Sequence, residues 1–124
     1  MNEAIMKWSS GTFYNGKLEA HDSVKSRLLH HLPGLASNEN TEVPLVLIDT
    51  TGCDMYELVT DDEQSKANEG EAALVTVVAQ QLVQSGLDPS EIAVITPYNL
   101  QVEFIRMQLR ETYPTLEIRS VLHK

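Results

Sequence analysis

The sequence is short of several things, and each shortage excludes something. One cysteine, Cys53, stands in 124 residues, so no internal disulfide can form and a reducing compartment is expected. Cys53 itself is expected to be a buried, inert thiol. No stretch approaches the ~20 apolar residues of a membrane-spanning helix. The start, Met1 to Trp8, also lacks the basic region, apolar run and cleavage site of a secretory signal. An intracellular protein with no membrane partner follows, placed in the nucleus or the cytoplasm. Cations are scarce too: nine Lys and Arg against 18 Asp and Glu give a net charge of −9. Taken as a total, that charge argues against a free-standing nucleic-acid binder. Neither G-x-x-x-x-G-K-[ST] nor G-x-G-x-x-G occurs, so ATP hydrolysis by this chain alone is not expected.

What is present suits one folded domain. The composition is 42% hydrophobic and 22% charged, within the globular range, and the length allows one domain rather than two. The charge is unevenly spread. Residues 33–71 hold ten of the 18 acids and one of the nine cations. The flanking segments are close to neutral and free to face an anion.

Periodicity predicts a short helix over 2–9 capped by Asn2, and a second from Asp22 to His31. Val43 to Ile48 is a continuous apolar run, as in a strand buried on both faces. Asp49-Thr50-Thr51-Gly52 follows it as a turn, with Asp49 bonded to nearby backbone. It has neither the length nor the second copy of an aspartic-protease site. Glu71 to Ser85 reads as a helix through Leu74, Val78 and Leu82, closed by Gly86. Ile92 to Ile95 is a second strand. Thr96 as N-cap with Pro97 in the first turn opens a helix to Thr112, burying Leu100, Phe104 and Met107. Leu116 to Val121 is a third strand. The order β-α-β-α-β implies a parallel sheet with right-handed crossovers, hence an α/β layered fold with ligands at the strands' C-terminal ends.

Asp49 to Gly52 and Thr96 to Asn99 are those ends, and two places at helix starts carry ligand-binding residue types. Ser65 to Glu71 sets a hydroxyl, an ammonium and an amide before a helix start, where backbone N–H groups favour an anion; capping by Asn68 or Ser65 is the plainer reading. Thr96 to Gln101 adds a hydroxyl, an aromatic and two amides, and Tyr98 there suits base stacking or the core. Metal readings are weaker. His30 and His31 are adjacent on a helix end, and Asp61-Asp62-Glu63 lacks the alternating ligands of a calcium loop.

Six blocks in order resemble the second RecA-like domain of superfamily 1 helicases. They are Met1 to Ile5, Phe13 to Leu18, Asp49 to Gly52, Ser65 to Ala72, Ile95 to Gln101 and Glu117 to Val121. Within that group the chain is similar to the branch of the nonsense-mediated-decay and immunoglobulin mu-binding protein (SMUBP-type) helicases. The resemblance implies a partial RecA-like domain of the P-loop NTPase type, three-layered with a short parallel sheet. It spans residues 1–124, with 1–34 as a helical lead-in. It further implies ATP-driven 5′→3′ unwinding of DNA or RNA, with ATP and Mg2+ held together with a first RecA-like domain. The pattern departs at both ends: the nucleotide-contacting Gln-Tyr-Arg would precede Met1, and Leu122-His123-Lys124 replaces the next block. A truncated gene model or a splice product is expected, with no catalytic residue, metal ligand or cofactor of its own. By block position, Ser65, Asn68, Thr96, Pro97, Tyr98 and Gln101 are the candidates for contacting a single strand. The rival expectation is a stand-alone α/β nucleic-acid-binding or regulatory module competing with the full-length helicase.

Overall fold

The structure is a computed structural model that describes residues 1–62 and 65–121. Glu63 of the acidic run and Leu122 to Lys124 therefore lie outside the described residues. The chain divides into two compact units, Met1–Ile48 and Asp49–Lys124.

In the first unit, helix α1 runs over Glu3–Phe13. Asn2 caps it as expected, its side chain accepting the Ala4 N–H at 2.9 Å. The helix outruns its expected end and stops where Asn15 (φ 51°) and Gly16 (φ 73°) turn left-handed. Ser10, buried on α1, both donates to the Leu18 carbonyl and accepts the Leu18 N–H at 3.1 Å.

Two expected elements of this unit do not form. Between Asp22 and His31 the chain makes hydrogen-bonded turns over 22–26 and one 3-10 turn, Leu29–His31, but no α-helix. Local side-chain bonding competes with the helix there: His21 Nδ1 accepts the Ser23 N–H. The carbonyls of Lys25 and Arg27 are drawn off by the Glu3 N–H and the Asn2 amide. Val43–Ile48 is not a strand either. A strand needs a neighbour for its backbone N–H and C=O groups, and the run pairs with none among the described residues, leaving Leu47 91% exposed.

In the second unit, α2 spans Glu69–Gln84, β1 Ala93–Thr96, α3 Asn99–Leu109 and β2 Glu117–Ser120. Strands β1 and β2 pair in parallel, Ala93 opposite Glu117 and Thr96 opposite Ser120. Helix α2 ends as Gly86 predicts. Gly86, at φ 108°, donates to the Val83 carbonyl and Leu87 to that of Leu82, which is the Schellman closure. Helix α3 packs on both strands and α2 packs on α3. The core is Ala72, Ala79, Leu87, Ile92, Val102, Ile105, Leu109, Leu116 and Ile118, with Ala67 beside it.

The α/β class with a short parallel sheet is what the sequence leads one to expect, as a partial RecA-like domain. Its detail differs. Among the described residues two strands pair rather than three. Val94 and Ile118 turn inward while Ile95 stays 67% exposed.

Candidate nucleic-acid interface

The site lies where β1 hands over to α3. Thr96 is not the N-cap of α3. It is the last residue of β1, opposite Ser120, and its carbonyl accepts the Val121 N–H at 3.2 Å. The extended backbone runs two residues further than expected, through Tyr98 at φ −115° and ψ 130°. The chain leaves the strand through Pro97, Tyr98 becomes the N-cap residue without a side-chain cap bond, and α3 begins at Asn99. The Tyr98 ring is thereby free of capping duty and 40% exposed.

Gln101 faces inward from the first turn of α3 and is buried. Its Oε1 accepts the Asn68 N–H at 2.8 Å, and its Nε2 donates to the Asn68 carbonyl at 3.1 Å. This two-point clasp ties α3 to the start of α2. It also sets the phase of α3. Gln101, Ile105 and Leu109 point inward at i, i+4 and i+8, so Met107, expected inside, is 70% exposed, and Leu100 and Phe104 are only half-buried.

Asn68 caps α2, accepting the Glu71 N–H at 3.0 Å, and its amide donates to the Met55 carbonyl at 3.0 Å. A strap of backbone is thus laid across the first turn of α2. It is continued by the Leu58 N–H to Ala67 carbonyl bond at 2.8 Å. Gly70 makes room for it, since a Cβ there would stand 2.6 Å from Met55 Cγ.

Asn68, Thr96, Pro97, Tyr98 and Gln101 line one open pocket of about 250 Å3, with Lys66, Glu57 and Glu71 on its walls. Ser65 is the exception. Its hydroxyl donates to the Asp62 carboxylate at 2.7 Å, and it lines the neighbouring depression of about 450 Å3, which shares Glu57 and Lys66. Lys66 Nζ stands 3.0 Å from Glu57 and 6.0 Å from the centre of the Tyr98 ring. The Glu57 carboxylate, hydrogen-bonded to it, raises the Lys66 pKa, so Lys66 is a cation throughout the neutral range. The pocket therefore offers an aromatic face, a fixed cation beside it and a ring of amide and hydroxyl groups. Those groups suit a nucleotide base and its backbone.

Sequence reasoning singled out Lys66 as the one cation of the acidic stretch, but it missed Glu57 and the Met55 strap. Nothing local distinguishes Glu57 from the acids around it. Ser120 is also missed: its hydroxyl is buried at the same strand end without a partner among the described residues.

Cys53 is exposed rather than buried, because the turn that follows Asp49 carries no core. Asp49 accepts both the Thr51 N–H (2.9 Å) and the Thr51 hydroxyl (2.6 Å), the turn its sequence implies, and those bonds lower its pKa. Among the described residues no three His, Cys, Asp or Glu side chains converge on a metal position.

The AAA domain family AAA_12 matches residues 1–122. DNA-binding protein SMUBP-2 of Rattus norvegicus is 52% identical over 98% of this chain, and that of Mus musculus 50% identical over the same share. The chain belongs to this AAA domain family, among the SMUBP-2-type superfamily 1 helicases. DNA polymerase alpha-associated DNA helicase A of Schizosaccharomyces pombe is 39% identical, again over 98% of the chain. This chain spans 12% of the length of the SMUBP-2 proteins and 19% of that yeast helicase. No helix among the described residues is long and apolar enough to cross a membrane.

Proposed function

We propose that this chain supplies the strand-tracking surface of the second motor domain of an ATP-driven 5′→3′ helicase, inside the cell, acting on single-stranded DNA or RNA. It is not catalytic by itself; a first RecA-like domain brings the machinery that holds ATP and Mg2+. The observation that carries the reading is the Tyr98 ring, released from capping and half-exposed at the strand end beside Lys66. Tyr98 stacks a base, which any sequence can provide, and Lys66 meets a phosphate once Glu57 gives it up. Thr96 and Ser65 offer hydroxyls to the sugar-phosphate backbone, and Pro97 fixes the angle at which Tyr98 leaves the strand. Asn68 and Gln101 position the surface, because their amides are engaged with backbone. The names of the relatives, a DNA-binding protein and a DNA helicase, agree with this reading.

The test is fluorescence anisotropy of a labelled single-stranded oligonucleotide titrated with the chain and with Tyr98→Ala. Loss of one stacked base weakens binding about fivefold or more, the lower end of the ~1–3 kcal/mol such contacts give. Equal affinities from two chains with the same circular dichroism would overturn the assignment.

A further inference from the structure

The Glu57–Lys66 ion pair stands where two depressions meet. One is the Tyr98 pocket of about 250 Å3, and the other, of about 450 Å3, runs on past Thr60 and Ser65. Glu57 and Lys66 line both, so the pair forms the ridge between them. Among the described residues Lys66 is the one cation lining either, against the carboxylates of Glu57, Glu71 and Asp62.

The backbone on either side of Glu57 fixes where its carboxylate arrives. Two residues before it, the Met55 carbonyl accepts the Asn68 amide at 3.0 Å. One residue after it, the Leu58 N–H donates to the Ala67 carbonyl at 2.8 Å. Pinned at both places, the strap sets the carboxylate 3.0 Å from Lys66 Nζ, with both side chains partly exposed (38% for Lys66, 57% for Glu57). A pair so exposed adds little stability, and the backbone bonds already hold the strap. What the carboxylate does is cover the ammonium that stands 6.0 Å from the centre of the Tyr98 ring. At that distance one nucleotide can stack on the ring and set its phosphate against Lys66. Carboxylate and phosphate are both anionic oxygen acceptors for an ammonium, so one can replace the other there.

We propose that Glu57 is an in-chain stand-in for phosphate at Lys66, displaced by the backbone of a bound single strand and returning as that phosphate leaves. The proposal rests on the Tyr98 surface being one that binds a strand. Exchanging one anion for another keeps Lys66 paired throughout, so a strand advances by a nucleotide without leaving a bare ammonium behind it. Only the Glu57 side chain has to move. Swung aside, it opens the ridge, and the next nucleotide continues into the depression beside Thr60 and Ser65. An aromatic ligand that brings no anion leaves the carboxylate in place.

The test is a double-mutant cycle on the 124-residue chain, binding a labelled single-stranded oligonucleotide over a salt series. Glu57→Gln keeps the length of the side chain and removes the competing charge. It is expected to bind about two- to fivefold tighter, the range an exposed ion pair spans. Its log–log salt slope steepens by up to about 0.7, one backbone contact, because Glu57 freed in the parent chain takes up a cation as the strand releases one. Both changes vanish when Glu57→Gln is made in a Lys66→Gln chain. Equal affinities of the parent and Glu57→Gln would overturn the exchange. So would the same gain in both backgrounds, which is the general field effect of one lost negative charge. Tyr98→Ala keeps the two readings apart. If it binds like the parent while the Glu57→Gln gain still requires Lys66, stacking falls and the exchange stands. If it binds weakly while Glu57→Gln changes nothing, the exchange falls and the Tyr98 surface stands.

Discussion

Gln101 shows how a single side chain takes on a role its neighbours in sequence do not announce. A glutamine in the first turn of a helix reads as a surface amide able to greet a ligand. Here it is buried, and both ends of its amide are engaged with the backbone of Asn68, thirty-three positions away. Truncation therefore removes two hydrogen bonds and strands a part-buried N–H and carbonyl. Gln101→Ala is expected to lower stability by about 1–3 kcal/mol, read as a shift in the urea midpoint. Its effect on oligonucleotide binding should track that loss of order rather than stacking. The clasp is illegible in the sequence because it depends on which turn of α3 arrives beside Asn68.

At the scale of elements, α2 is the best-read part of the chain and α3 the most instructive error. The Asn68 cap, the Leu74–Val78–Leu82 spacing and the Gly86 closure are local signals, and local hydrogen bonding decides them. Gly70 carries a further test. In an exposed first turn, Gly→Ala would be neutral or stabilising by the usual helix preference, about 0.5–1 kcal/mol. Here the added Cβ would meet Met55 Cγ at 2.6 Å and its Cβ at 3.1 Å. The strap must lift, weakening the Asn68 bond to the Met55 carbonyl. Gly70→Ala is therefore expected to lower the thermal midpoint despite its better helix propensity; an unchanged or raised midpoint would show that Met55 yields at no cost. In α3 the apolar period is correctly seen but its phase is not, because Gln101 takes an inward position that hydropathy assigns to Leu100 or Phe104.

At the scale of the molecule, the two units differ in what holds them. Every buried hydrophobic residue of the core belongs to Asp49–Lys124. Among the described residues of Met1–Ile48 the buried side chains are Ser10 and Thr41, both polar. Thr41 Oγ1 donates to the Ala36 carbonyl at 2.7 Å and accepts the Asn38 N–H at 2.9 Å, while Trp8 and Phe13 meet edge to face with both rings largely exposed. Hydrogen bonds of this kind contribute about 1 kcal/mol each, against about 1–2 kcal/mol to fix each residue's backbone. Hydrogen-exchange protection is accordingly expected in α2, α3, β1 and β2, and little in α1 or residues 14–48. Equal protection of both units, read by exchange mass spectrometry at neutral pH, would contradict this. The reading of Val43–Ile48 as a buried strand fails at the same scale: its composition is that of a strand, but pairing is supplied by neighbours and not by the run itself.

The sequence alone determined the fold class of the molecule and the family to which it belongs. Capping residues, left-handed glycines and apolar periods act over a few positions, so the α/β order of the second unit and the six motif blocks are legible without coordinates. The shortage of cations was legible as well, and its concentration in residues 33–71 pointed to usable flanks. Only the tertiary structure decided that Gln101 is a clasp and that Tyr98 stands half-exposed at the strand end. Those outcomes depend on distances between residues far apart in the chain, and these are set by packing α3 on the sheet.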